Sequence, residues 1–167
     1  MFRSDSTQYY WSATSNDEGA SWSNATKLPF AWSVKPRLRV TSKGLLVLTG
    51  GRPGIDLWAS NDKGKSWTRF NIAAEHNQLL KAAGADKSLL FNEQVVNITS
   101  PFQKRAQPEP QTSSYTGLAE ATDGAMVVSY DRICNGWKER VWANNGSLEP
   151  GCWGGADVLF TMRVHLS

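Results

Sequence analysis

A pattern of eight residues with serine, aspartate, glycine and tryptophan at fixed positions occurs twice in this chain of 167 residues. The copies span 15–22 and 60–67, so they begin 45 residues apart. Their fixed residues are Ser15, Asp17, Gly19 and Trp22 in the first copy and Ser60, Asp62, Gly64 and Trp67 in the second. A repeat of this period is typical of four-stranded propeller blades, so the chain is expected to fold into repeated β-sheets.

The octapeptide itself predicts a tight turn between two strands. Its aspartate can accept backbone N–H groups within the turn, and its glycine permits a positive φ that a side chain would resist. The tryptophan opens the next strand and covers the turn with a large apolar face. We therefore expect Asp17 and Asp62 to hold hairpins rather than to take part in catalysis.

Alternating apolar residues and turn signals extend the β-pattern along the chain. Four short strands are predicted within 36–72, which would form one complete blade. Residues 1–35 would end the preceding blade, and 113–167 would form the last blade. The predicted fold class is therefore all-β, with about two and a half blades of antiparallel strands.

Residues 73–112 interrupt this pattern as an insertion. The stretch 73–83 predicts a helix, and Gly84 is a suitable residue to end it. Pro108 and Pro110 further along predict an exposed loop. We expect helix to be confined to this insertion.

Two and a half blades cannot close a propeller, which needs at least about four. Either the chain is the C-terminal part of a larger propeller, or it assembles with another chain. The first alternative is preferred here, and the rest of the propeller is then expected upstream in the full-length protein.

The charge and the motifs exclude several functional classes. The net charge is only +3, without the basic run of a nucleic-acid-binding arm. No apolar run approaches the roughly 20 residues that span a bilayer. Phosphate loops, Ser-His-Asp arrangements and metal-ligand spacings are missing, and His76 and His165 are too far apart in sequence to suggest a metal pair. No cofactor and no metal are expected.

The two cysteines, Cys134 and Cys152, flank a loop rich in Gly, Asn and Trp. A disulfide there would indicate an oxidising compartment, and two free buried thiols are the alternative. Three glycosylation sequons begin at Asn24, Asn97 and Asn145. Together these features favour a secreted or luminal protein whose leader is not in this chain.

The octapeptide resembles the Asp-box, or BNR repeat, of the sialidase (neuraminidase) superfamily of six-bladed propellers. Three further stretches are similar to that family: 2–5 before the first octapeptide, 44–55, and 114–131. The last of these contains Tyr115 and the pair Asp123-Gly124. The resemblance covers most of the chain outside 73–112.

This resemblance implies an exo-α-sialidase, which removes terminal sialic acids with retention through a tyrosine nucleophile. Tyr115 corresponds to the nucleophile, and Arg52 and Arg3 correspond to two of the three arginines that bind the substrate carboxylate. A neutral phenol suits an anomeric carbon that bears a carboxylate, because an anionic nucleophile would be repelled. The first arginine, the acid/base aspartate and the activating glutamate would lie upstream of Met1, so the chain alone is expected to be inactive.

Strand order gives an expectation that is independent of the family. Turns after the first and third strands of a blade lie at one end of its sheet, and the other connections lie at the opposite end. Arg3 and Arg52 are predicted in the second kind of connection, and Tyr115 precedes a first strand. All three should therefore lie opposite the octapeptide turns, whereas Glu120 is a weaker candidate for a base and Asp123 is expected in a tight turn.

A non-catalytic glycan-binding or scaffold propeller is the alternative function, since the Asp-box specifies the fold better than the chemistry. In either case the expected partner is a glycan that bears sialic acid or another acidic sugar. Tryptophans outside the octapeptides could stack on sugars, but they more often fill the space between blades. These residues are Trp11, Trp32, Trp58, Trp137, Trp142 and Trp153.

Overall fold

A computed structural model of the chain describes residues 2–4, 9–31, 34–51, 54–96, 112, 115–133 and 158–166. In chain order the elements are β1 (Phe2–Ser4), β2 (Tyr9–Ser12), β3 (Thr26–Ala31), β4 (Val34–Val40), β5 (Leu46–Gly51), β6 (Ile55–Ser60), β7 (Thr68–Asn71), α1 (Ile72–Ala82), a 3₁₀ turn (Lys87–Leu89), α2 (Glu93–Val96), β8 (Gly117–Glu120), β9 (Met126–Arg132) and β10 (Val158–Val164). These strands form three antiparallel sheets, so the predicted all-β class is confirmed. The described sheets do not close into a barrel.

The central sheet contains four strands in the order β4-β5-β6-β7, each antiparallel to its neighbour. Since the strands follow one another in sequence, the sheet is a simple meander. The four strands predicted within 36–72 are therefore present, although the first already begins at Val34 and Ile72 belongs to the helix that follows.

The two flanking sheets have three described strands each, in the orders β1-β2-β3 and β8-β9-β10. The second octapeptide joins β6 to β7, and the first joins β2 to β3. Arg3 lies inside β1, opposite Tyr10. The sequence argument put Arg3 in a loop and was wrong, because pairing with β2 continues across that residue.

The central sheet is buried on both of its faces. Successive side chains along a strand point to opposite faces, so Leu57 faces one flanking sheet and its neighbour Trp58 faces the other. One buried cluster joins the central sheet to the third sheet through Val47, Leu57, Met126, Val128 and Tyr130. A second joins it to the first sheet through Leu48, Trp58, Tyr10 and Leu28. The three sheets are therefore stacked in chain order.

The hairpins that open the central and third sheets have the same turn. Gly44 between β4 and β5 has φ +80, and Gly124 between β8 and β9 has φ +81. In each turn the glycine N–H donates to the carbonyl three residues earlier, at 2.9 Å. The two sheets thus begin with equivalent units, although their sequences in this region share little beyond the glycine.

The second octapeptide forms the hydrogen-bonded turn that its residues predict. The Asp62 carboxylate accepts the Ser60 hydroxyl at 2.8 Å and the Ser66 backbone N–H at 2.9 Å. The Gly64 N–H donates to the Ser60 hydroxyl at 2.8 Å, and the Trp67 indole donates to the Gly64 carbonyl at 3.0 Å. Gly64 has φ +88, as the turn requires.

The first octapeptide repeats these contacts. The Ser21 N–H donates to the Asp17 carboxylate at 2.9 Å, and the Trp22 indole donates to the Gly19 carbonyl at 3.1 Å. The two turns differ in what lies over them. Trp67 packs against the buried cluster between the first and central sheets, whereas Trp22 is 64% exposed. The same local network is therefore anchored to the core at only one of the two positions.

This difference gives a matched test of the octapeptide turns. Serine hydrogen bonds lower the pKa of Asp17 to about 2 and lower that of Asp62 as well. The stability that each carboxylate contributes is therefore complete above its ordinary pKa of 3.8 and lost as the pH falls below it. Asp62→Asn is expected to lower the melting temperature at pH 7 more than Asp17→Asn, because of the two tryptophans only Trp67, in the Asp62 turn, packs against a buried cluster.

Thermal melts followed by circular dichroism between pH 7 and pH 2.5 measure both effects. Each variant should also show a smaller loss of stability on acidification than the wild type. Equal melting temperatures for the two variants would mean that Trp67 does not couple its turn to the core.

The insertion begins with the helix predicted at 73–83, which the structure places at Ile72–Ala82. Asn71 caps its start by accepting the Ala74 N–H at 3.0 Å. At its end Gly84 has φ +65, and the N–H groups of Gly84 and Ala85 return to carbonyls of the last turn, as in a Schellman motif. None of the described helices is long and apolar enough to cross a membrane.

Candidate functional site

Strands β4 and β8, the first strands of the central and third sheets, lie side by side and run in the same direction. After the end of β4, Ser42 donates its backbone N–H and its hydroxyl to the Glu120 carboxylate at the end of β8, at 2.8 and 2.6 Å. At the other end, Lys35 is the second residue of β4 and Tyr115 lies two residues before β8. The Lys35 ammonium lies 5.1 Å from the centre of the Tyr115 ring. These two contacts at opposite ends fix the parallel alignment.

The connections of the central sheet separate into two ends. The turns that contain Ser42 and Asp62 lie at one end, because they follow the first and third strands of an antiparallel meander. The connection from β5 to β6 lies at the other end, together with Lys35 and Tyr115. We call this second end the Tyr115 end. Arg52 belongs to the β5–β6 connection but is outside the described residues.

Lys35, the second residue of β4, lies within an irregularity of that strand. The pairing of β4 with β5 shifts register between Val34 and Arg37, which adds one residue to β4. Lys35 has φ +48, an unusual value for a residue with a side chain. Bulges and strained residues of this kind recur near functional sites, where they redirect a side chain. Sequence reasoning missed Lys35, since nothing local marks the register shift.

Tyr115 is 46% exposed, so a ligand can reach it from solvent. The ammonium of Lys35 over its ring provides a positive charge beside the phenol. The adjacent residue Thr116 is buried, and its hydroxyl makes no hydrogen bond to any residue that the structure describes. A cation next to an accessible phenol favours a ligand that combines a negative charge with an apolar or sugar face.

Asp56 is a buried carboxylate at the start of β6, also at the Tyr115 end. It accepts the Nε–H of Arg69 at 2.9 Å, and the Arg69 Nη2 lies 2.8 Å from the same oxygen. Burial raises the pKa of Asp56 to about 6, although the charge of Arg69 opposes this shift. The pair links β6 to β7 and was not predicted, because Asp56 looked like an ordinary strand residue.

Two other described carboxylates near the sheets, Glu120 and Asp123, are used in structural contacts. Glu120 binds the Ser42 turn, and those hydrogen bonds lower its pKa. Asp123 accepts the Ala125 N–H at 3.1 Å and pairs with Arg163. The expectation that Glu120 could act as a base for Tyr115 is therefore wrong. Glu120 lies at the far end of β8 and accepts hydrogen bonds from Ser42 of the central sheet.

The structure describes some of the other residues that the sequence singled out, and the rest lie outside the described residues. Asn24 is exposed in the segment before β3, so its sequon is accessible. Trp58 is buried in the core between two sheets, as expected for a residue that fills an interface. The sites Asn97, Asn145, Cys134 and Cys152 lie outside the described residues, as does Arg52.

The described structure thus brings Tyr115 together with Lys35, a residue that the sequence did not suggest. Within the described residues, no group of three or more His, Cys, Asp or Glu could hold a metal ion. A scan against protein-family models, a search of curated proteins and a search of solved structures each found no match.

Proposed function

We propose that this chain is part of a sialidase-type Asp-box propeller that hydrolyses terminal sialic acids, with Tyr115 as the nucleophile. One observation carries the proposal: the parallel alignment of β4 and β8, which brings the Lys35 ammonium 5.1 Å from the Tyr115 ring at the end opposite the octapeptide turns. A substrate with both a sugar ring and a carboxylate suits this pair of groups.

Three features support the propeller. The sheets stack in chain order, and the central one is buried on both faces, as an inner blade must be. The first strands of two successive sheets lie next to each other and run parallel, as the strands nearest a propeller axis do. The equivalent turns at Gly44 and Gly124 begin both of these sheets.

The chemistry follows from the charges at the Tyr115 end. The anomeric carbon of a sialic acid carries a carboxylate, which would repel an anionic nucleophile but not a phenol. The guanidinium of Arg52 would bind that carboxylate bidentately, and Lys35 would add a second positive charge. A base for the Tyr115 hydroxyl and an acid for the leaving group would come from the upstream part of the propeller.

A non-catalytic glycan-binding propeller is the second candidate. It is favoured by the carboxylates of the described sheets, since Asp17, Asp62, Glu120 and Asp123 hold turns and Asp56 pairs with Arg69. In that case Lys35 and Tyr115 would bind an acidic sugar without cleaving it. The accessible sequon at Asn24 fits a secreted or luminal protein under either proposal.

The full-length protein tests both proposals with two measurements. Hydrolysis of a fluorogenic α-sialoside reports catalysis, and saturation-transfer NMR with free sialic acid and with neutral galactose reports binding. Cleavage of the sialoside, with a matching β-galactoside left intact, is the expected result. Binding of sialic acid without cleavage supports the non-catalytic propeller, and preference for neither sugar contradicts both proposals.

A further inference from the structure

His76 connects the inserted helix to the third sheet. It lies on α1 and is buried, with its Nδ1 3.0 Å from the hydroxyl of Tyr130 on β9 and its Nε2 3.0 Å from the Leu89 carbonyl. Its ring centre is 4.8 Å from that of Phe91 and 4.6 Å from that of Phe160 on β10. One side chain therefore holds α1, the segment after it and two strands together.

These partners determine the tautomer of His76. A carbonyl oxygen only accepts hydrogen bonds, so Nε2 must carry the proton that it donates to Leu89. Nδ1 is then the lone pair that accepts the Tyr130 hydroxyl. The neutral ring satisfies both contacts, and it has one remaining position at which a proton can bind, which is Nδ1.

Protonation of His76 would disturb this arrangement. A proton at Nδ1 would place a positive charge on a ring that is 3% exposed and packed against Phe91, Tyr130 and Phe160, and the Tyr130 hydroxyl would have to turn so that its oxygen accepts the new N–H. Burial lowers the pKa of His76 below its ordinary 6.5; its bond to Leu89 opposes this shift, and the charge of Arg132 adds to it. Neutral His76 therefore stabilises the docked helix above pH 6.5, and this stabilisation is lost as the pH falls below that value.

The charged neighbours on the packed elements give no compensation. On β9, Tyr130 and Arg132 face α1 and the segment after it, where Arg132 donates to the Leu90 carbonyl at 3.2 Å, and Asp131 accepts the Thr112 hydroxyl at 2.7 Å. On β10 the contact is Phe160. The charged residues of the 3₁₀ turn and its cap, Lys87 and Asp86, are exposed. The described surroundings of His76 thus favour an uncharged ring.

We propose that His76 is a pH-sensitive latch that keeps α1 docked on β9 when it is neutral and releases α1 when it is protonated. The latch lies near the candidate site in the sheet. Gly117 pairs with Ser129, so Tyr130 is beside Thr116, the residue that follows Tyr115. Release of α1 would therefore loosen the support of the Tyr115 end, whatever ligand binds there.

Amide hydrogen exchange between pH 7.5 and 4.5, corrected for the intrinsic effect of pH, tests the latch. Protection of the α1 amides is expected to fall by up to about tenfold per pH unit between pH 6.5 and the lower pKa of docked His76, because in this range opening takes up one proton. The amides of β5, in the centre of the core, should keep their protection. This separates local release from global unfolding.

Three variants complete the experiment. His76→Gln cannot titrate and should make α1 protection independent of pH. Asp56→Asn removes another group that titrates in this range, and it should leave the wild-type behaviour of α1 unchanged. His165→Gln removes the second of the two histidines, which identifies the imidazole NMR signal of His76.

The NMR titration midpoint of His76 in the wild type is expected below its ordinary pKa of 6.5, because burial disfavours the charged ring. Unchanged α1 protection across the pH range in the wild type overturns the latch, as does the same fall in His76→Gln. If His76→Gln does not fold, the titration midpoint decides: a value of 6.5 or higher also overturns the proposal.

Discussion

Tyr115→Phe in the full-length protein is expected to abolish sialoside turnover while leaving binding of free sialic acid nearly intact. The substitution removes one oxygen and keeps the ring beneath the Lys35 ammonium. The lost group reacts only along the reaction path, so kcat should fall on the order of 10³-fold or more with little change in ligand affinity. In a non-catalytic propeller the same change should be silent.

Two further substitutions distinguish a binding role from this catalytic role. Arg52→Lys keeps the charge but loses the planar fork of the guanidinium, and it should weaken carboxylate binding by about 1.5–3 kcal/mol. Lys35→Met should weaken binding of sialic acid but not of galactose. Steady-state kinetics and titration calorimetry on folded variants measure the difference. Equal loss of binding in Tyr115→Phe and Arg52→Lys would mean that Tyr115 is misassigned as a nucleophile.

Leu57→Ala and Trp58→Ala are both expected to destabilise the protein strongly, although they change neighbouring residues of one strand. Leu57 is buried against the third sheet and Trp58 against the first. Loss of a buried leucine costs about 2–5 kcal/mol and loss of a buried tryptophan about 3–5 kcal/mol, because a cavity remains. Chemical denaturation followed by circular dichroism measures both values.

Leu38→Ala is the matched control for this pair. Leu38 lies on the edge strand β4, opposite Leu48 and on the same face, but it is 50% exposed. Its removal should change the free energy of unfolding by less than about 1 kcal/mol. A small effect of Trp58→Ala together with a large effect of Leu57→Ala would show that the first sheet does not pack on the central one.

Local interactions explain why much of the fold could be predicted from the sequence. The contacts of Asp17 and Asp62 lie within their own octapeptides, so the residue pattern contains all the information about the turn. The meander at 36–72 and the helix ended by Gly84 also depend on neighbours in sequence. The exposed phenol of Tyr115 was suggested by the family resemblance, and its surroundings were not.

The contacts that build the candidate site join residues far apart in the chain. Ser42 and Glu120 are 78 residues apart, and His76 and Tyr130 are 54 apart. Lys35, which meets Tyr115, lies within a register shift of β4, and no short pattern encodes that shift. The sequence alone determined the turns, the hairpins and the capped helix, since their hydrogen bonds close within a few residues. Only the tertiary structure decided which faces are buried and which charges meet at the Tyr115 end, because both depend on how separate sheets pack.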